Sequence, residues 1–119
     1  MPILLKTIAL QEALEEIEYT YRAKICTTEV DGFELNKIYK DYIPPRWYGF
    51  DIGSLIPYYI VSAIKSLTDF LIKNFPEVHI LQVKWKFGGL RYYTDNLPEH
   101  IELMISRFTS KIYYDKARY

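Results

Sequence analysis

The stretch ILQVKWKFGGLRYYT, residues 80–94, decides the fold. Leu81, Val83, Trp85 and Phe87 alternate with Ile80, Gln82, Lys84 and Lys86, the run breaks at Gly88-Gly89, and alternation resumes from Leu90 to Thr94. A period of two is the signature of a strand, and two glycines between two such runs favour a two-residue loop with positive φ at both positions. The pattern predicts a β-hairpin with Gly88-Gly89 as its loop. That loop sets a register: Phe87 opposite Leu90, Lys86 opposite Arg91, Trp85 opposite Tyr92, Lys84 opposite Tyr93 and Val83 opposite Thr94. One face then carries Val83, Trp85, Phe87, Leu90 and Tyr92 and needs helices to bury it. The other carries Gln82, Lys84, Lys86, Arg91 and Tyr93. Lys86 and Arg91 oppose each other at a non-hydrogen-bonded pair, where side chains approach closely, at a cost of a few tenths of a kcal/mol or more, as an order of magnitude. Splaying into water removes that cost, and an acidic group between the two turns it to use.

Three helices surround this hairpin in the sequence. Leu10, Ala13, Leu14, Ile17, Tyr21 and Ile25 recur at helical spacing, which predicts a first helix at about residues 7–26, with Glu18 and Arg22 as an i,i+4 pair. From Glu29 to Gly53 the pattern is poorly periodic. Asp31-Gly32 signals a turn, Phe33 and Leu35 suggest a short edge strand, and Pro44-Pro45 forbids regular structure locally. A second helix is marked by Ser54 as N-cap, by Pro57 in the first turn and by a stripe of Ile56, Ile60, Ala63, Ile64, Leu67, Leu71 and Phe75, before Pro76 stops it. The last helix starts near Leu97-Pro98, with Asn96 close to its cap, and buries Ile101, Met104, Ile105, Phe108 and Ile112. The expected fold class is α+β: three helices packed on a small antiparallel sheet built around the hairpin, in the order helix, irregular segment, helix, hairpin, helix.

Length and charge narrow the function classes. The 119 residues make a single domain, half of them apolar and a quarter charged, with 15 basic and 15 acidic side chains. Zero net charge provides no whole-molecule field for nucleic acid or anionic lipid. No basic segment precedes the apolar start, and the longest stretch without a charge, Ile52 to Ile64, has only 13 residues. The expectation is therefore a cytoplasmic protein with neither signal peptide nor membrane span. One cysteine, Cys26, excludes an internal disulfide framework and a thiolate zinc cluster; its place near a helix end reads as a small buried hydrophobe. Twelve tyrosines, six phenylalanines and two tryptophans are more aromatics than a domain this small can bury completely. They either shape the core and its rim or form a binding surface, since Tyr, Trp and Arg are enriched in interface hot spots. Charge is also segregated. Residues 1–35 hold three basic and seven acidic side chains, whereas residues 84–119 hold seven basic and four acidic. The first helix covering the basic hairpin face, an acidic partner, and plain solvation all fit that asymmetry.

The segment from Gln82 to Tyr93, QVKWKFGGLRYY, resembles a group of small proteins of bacteria and their phages for which no activity is established. Members carry a stretch like QVKEKFGGLRFY, preceded by a segment like GDGW and then a helix. The upstream counterpart here is Gly49 to Ile56, GFDIGSLI, and the similarity spans about residues 49–115. Trp85 stands where the group has an acidic residue between the two lysines, and Ile56 where it has tryptophan. Many members end in a cysteine pair near a serine, as in CExCG, which looks like half a metal site. This chain instead has Ser110 and then Tyr114-Asp115-Lys116-Ala117-Arg118, so the resemblance implies no metal here. What it does imply is a small cytosolic protein in a phage or mobile-element setting.

Signals for chemistry are thin. His79 and His100, each beside a proline-marked boundary, read as surface or cap residues. Glu12, Glu15, Glu16 and Glu18 read as a solvated helix face. Gly53-Ser54 and Gly88-Gly89 lack the spacing of a phosphate-cradling loop, and no His/Asp/Glu cluster has metal-ligand spacing, so no catalytic residue, metal or cofactor is expected. Three functions remain. A protein-binding module, immunity- or inhibitor-like, would present Lys84, Lys86, Arg91 and Tyr93 to a partner with an acidic surface. A nucleic-acid binder would use the same basic face with Tyr93 for stacking, against the neutral net charge. A small-ligand site would use Arg46, Trp47, Tyr48 and Asp51, although an Arg46–Asp51 ion pair explains that loop more simply.

Overall fold

The computed structural model describes residues 2–52 and 56–112. The protein is α+β: helices α1 (Ile3–Arg22), α2 (Glu34–Ile38), α3 (Tyr58–Asn74) and α4 (Glu99–Thr109), with strands β1 (Gly49–Asp51), β2 (His79–Lys86) and β3 (Gly89–Asp95). The strands form one sheet in the order β1-β2-β3. β2 and β3 are the antiparallel hairpin. β1 lies parallel to β2 on the other side, joined to it through α3, so the sheet is mixed where the sequence pattern suggested purely antiparallel pairing. Three residues are too short a run to show a period, which is why β1 is invisible in the pattern.

The helical stripes are where their spacing puts them, with shifted ends. α1 begins at Ile3 and ends at Arg22, four residues early, because Lys24 turns left-handed (φ 56°) and the Ile25 amide donates back to the Thr20 carbonyl at 2.9 Å. Cys26 therefore lies past the helix and is exposed, not buried. The expected edge strand at Phe33 and Leu35 is the short helix α2, started by the Asp31 carboxylate, which accepts from the Glu34 amide at 2.9 Å. α3 starts one turn later than its predicted cap: Pro57 is the N-cap, and Ser54 lies outside the described residues. In α4 and the turn after it, Ile101, Ile105, Phe108 and Ile112 are buried, and Met104 packs against the core.

α1 packs on α3 and α4, while α4 flanks β3. Phe50, Val83 and Tyr92 form one continuous row across the three strands on the buried side of the sheet. Two polar devices complete this layer. The Thr68 hydroxyl donates to the Ile64 carbonyl at 2.8 Å, so the Tyr92 hydroxyl, 2.7 Å away, donates to Thr68 Oγ1. Tyr39, buried against Phe50, hydrogen-bonds the Asp69 carboxylate, which Lys65 pairs from the other side at 2.9 Å. Burial pushes both phenols well above the ordinary tyrosine range, and for Tyr39 the carboxylate of Asp69 adds to the effect.

The hairpin loop is Phe87-Gly88, one residue earlier than expected: Phe87 (φ 56°) and Gly88 (φ 80°) both take the left-handed conformation, and Gly89 begins β3. The register is Lys86–Gly89, Trp85–Leu90, Lys84–Arg91 and Val83–Tyr92. Trp85 thus opposes Leu90 and not Tyr92, and Phe87 leaves the core face for the tip, 88% exposed. Moving a two-residue loop by one position shifts the pairing by two. Each of the other side chains keeps its face. A bulge between Ile80 and Gln82 makes one further change, turning Ile80 into the core and leaving Leu81 half-buried.

Candidate functional site: the outward face of the sheet

Strand alternation alone places the candidate residues. With Val83 and Tyr92 buried, their neighbours Lys84, Lys86, Arg91 and Tyr93 must point to the opposite side, where Lys86, Arg91 and Tyr93 are exposed and Lys84 is half-exposed. All four share one face. Arg91 is opposed by Lys84, so the expected Lys86–Arg91 pair is replaced; Lys86 faces Gly89 and has room to swing. A two-residue loop makes its flanking pair hydrogen-bonded, and pairs alternate outward from it. Lys84 and Arg91 therefore sit at a hydrogen-bonded position, with about 5.5 Å between Cα atoms rather than about 4.5 Å, which softens their repulsion. The Lys86 ammonium lies 5.7 Å from the centre of the Phe87 ring, which brings this exposed aromatic to the edge of the basic face.

The secondary candidates divide. Asp51 pairs in register with Lys84, and Lys84 with Arg91, so the three form one row across the sheet: acid, base, base. The expected Arg46–Asp51 ion pair is absent among the described residues, whose ion pairs are Glu18–Arg22, Lys65–Asp69 and Glu18–Lys111. Arg46 adopts φ 72° in the loop before β1, beside exposed Trp47 and Tyr48. That loop contributes aromatic surface but no constellation. β1 itself is held by Asn36, whose carboxamide pairs twice with the backbone of Phe50, donating to its carbonyl at 2.8 Å and accepting from its amide at 2.7 Å. Asn36 thus does for the free edge what another strand would do. Gly49 is needed for the approach: its φ is +64°, and a Cβ there would lie 2.5 Å from Asn36 Oδ1 and 2.7 Å from Ile43 Cδ1.

α1 does not cover the basic face. Its packing partners are α3 and α4, and its carboxylate Glu18 reaches Lys111 at 3.2 Å instead. None of Lys84, Lys86 and Arg91 has an ion-pair partner among the described residues. His100 bonds Thr7 Oγ1 at 3.0 Å, and His79 begins β2, half-buried. Among the described residues no group of three or more His, Cys, Asp and Glu is gathered as a metal site, and no helix is long and apolar enough to cross a membrane. No family model matches the chain, and no match is found among the curated proteins or the solved structures.

Proposed function

We propose that this protein is a non-catalytic protein-binding module, immunity- or inhibitor-like, that docks a partner with an acidic surface through the outward face of its sheet. The cytoplasmic, phage or mobile-element setting implied by the hairpin motif belongs to the same proposal. The observation that supports it is the placement of Lys84, Lys86 and Arg91 beside exposed Tyr93 on one rigid sheet face, with no ion pair to neutralise them among the described residues. Arginine forks onto a carboxylate, lysines add point charges that speed encounter, and a tyrosine beside them contributes contact area at little entropic cost.

The test is the double variant Lys86→Glu/Arg91→Glu. The carboxylate introduced at position 91 would face Lys84, a favourable cross-strand pair, and Lys86 faces only Gly89, so the fold is expected to survive unchanged. Capture of a protein partner from a lysate of the source cells is expected to fall at least tenfold. Capture as strong as that by the native protein would refute the assignment. A salt-sensitive affinity for random single-stranded oligonucleotides that vanishes in the double variant would transfer the face to nucleic acid.

A further inference from the structure

Among the described residues, the outer edge of β3 is open at Tyr92 and Thr94. The Leu90 amide donates to the Ile112 carbonyl at 3.3 Å and so points away from β2. Strand backbone repeats every two residues, so the amides and carbonyls of Tyr92 and Thr94 point the same way. Neither has a backbone partner among the described residues on that side. α4 runs alongside and leaves a groove of about 430 Å³ between helix and strand, bounded by Tyr92, Thr94, Glu102, Leu103 and Ser106. Proteins normally blunt such an edge, as Asn36 does at β1.

Charge along the strand is polarised. Arg91 lies at one end of β3, while Asp95, outside the groove and accepting from the Asn96 amide at 2.9 Å, lies at the other; Glu99 and Glu102 of α4 line the groove. Arg91, Tyr93 and Asp95 project to one face, so the edge reads base, aromatic, acid at two-residue spacing. We infer that the β3 edge takes up an extended segment of another protein as an antiparallel fourth strand, with a basic side chain opposite Asp95 and an acidic one opposite Arg91. Backbone pairing at Tyr92 and Thr94 supplies the affinity and the charged ends set the register, as in other strand-addition complexes. Lys86 plays no part, so this surface differs from the docking proposed for the sheet face, although Arg91 and Tyr93 border both.

The probe is the peptide acetyl-TKVYVET-amide, whose lysine and glutamate match Asp95 and Arg91 in the antiparallel direction. It is titrated into the full chain while amide hydrogen exchange is followed by NMR. Slowed exchange at Tyr92 and Thr94 together, saturable and retained in Lys86→Glu, is the expected result. The peptide acetyl-TKVYVKT-amide is expected to bind the native protein several-fold more weakly and to recover in Arg91→Glu. Thr94→Pro removes an amide that β2 does not use and is expected to abolish binding while keeping the fold. Four results would overturn the inference. They are no protection at millimolar peptide, no dependence on the charge swap, protection without peptide that grows with protein concentration (a second copy), and protection without peptide at every concentration (residues 113–119 of the same chain).

Discussion

Replacing Phe87 by asparagine separates the two hairpin registers by the sign of its effect. In the structure Phe87 is the first loop residue, left-handed at φ 56° and 88% exposed. An L-residue other than Gly, Asn or Asp pays about 1–2 kcal/mol to sit there, and Asn-Gly is the preferred pair for this turn. What the substitution loses is the contact of Lys86 with the ring, worth about 0.5 kcal/mol at an exposed site. Phe87→Asn is therefore expected to stabilise by about 0.5–1.5 kcal/mol. For a domain of this size that is a rise of a few degrees in Tm, or a higher urea midpoint at unchanged slope. Had the loop been Gly88-Gly89, Phe87 would oppose Leu90 on the core face, and the same change would cost about 3 kcal/mol or more as a large-to-small core substitution with a buried amide. Circular dichroism melts of the two proteins side by side decide it. A lowered midpoint would refute the loop assignment and the register derived from it.

Two further outcomes rest on the polar devices around the sheet. Asn36→Ala removes both hydrogen bonds to Phe50 and is expected to cost about 2–3 kcal/mol; exchange at the Phe50 amide should accelerate while that of Lys84, which faces Arg91 on β3, stays slow, and equal acceleration at both would show that Asn36 does not act locally on the edge. Because the Tyr39 and Tyr92 phenols are held above the ordinary range near 10, the folded chain binds more protons than the unfolded one at high pH. Stability is expected to be unaffected by these groups below pH 10 and to fall above it, by up to about 1.4 kcal/mol per pH unit for each, a slope that Tyr92→Phe should reduce by half in urea titrations between pH 10 and 11.5.

Much of the architecture was legible because periodicity survives local error. The stripes of α3 and α4 predicted their buried faces, and the alternation of residues 80–94 predicted which side chains of the hairpin share a face, even though the loop lay one residue away. A two-residue shift of pairing preserves parity, so Lys84, Lys86, Arg91 and Tyr93 kept their common side. Helix ends were less legible. The left-handed turn at Lys24 is set by backbone closure onto Thr20 and Tyr21, and nothing in a lysine announces it.

By itself, then, the sequence determined the α+β class, the helix faces and the membership of the basic hairpin face, all of which follow from the fixed repeat of side-chain directions along a helix or strand. Tertiary structure alone decided the rest. Strand β1 exists because Asn36 and β2 satisfy its two edges, a partnership over 14 and more than 30 residues that no local pattern encodes. That pairing carries Asp51 away from Arg46 and sets it beside Lys84. The loop position, the bulge that buries Ile80 and the edge at Tyr92 and Thr94, open among the described residues, are likewise products of packing. Each depends on which of several pairings, nearly equal in local energy, lets the sheet close over the helices beneath it.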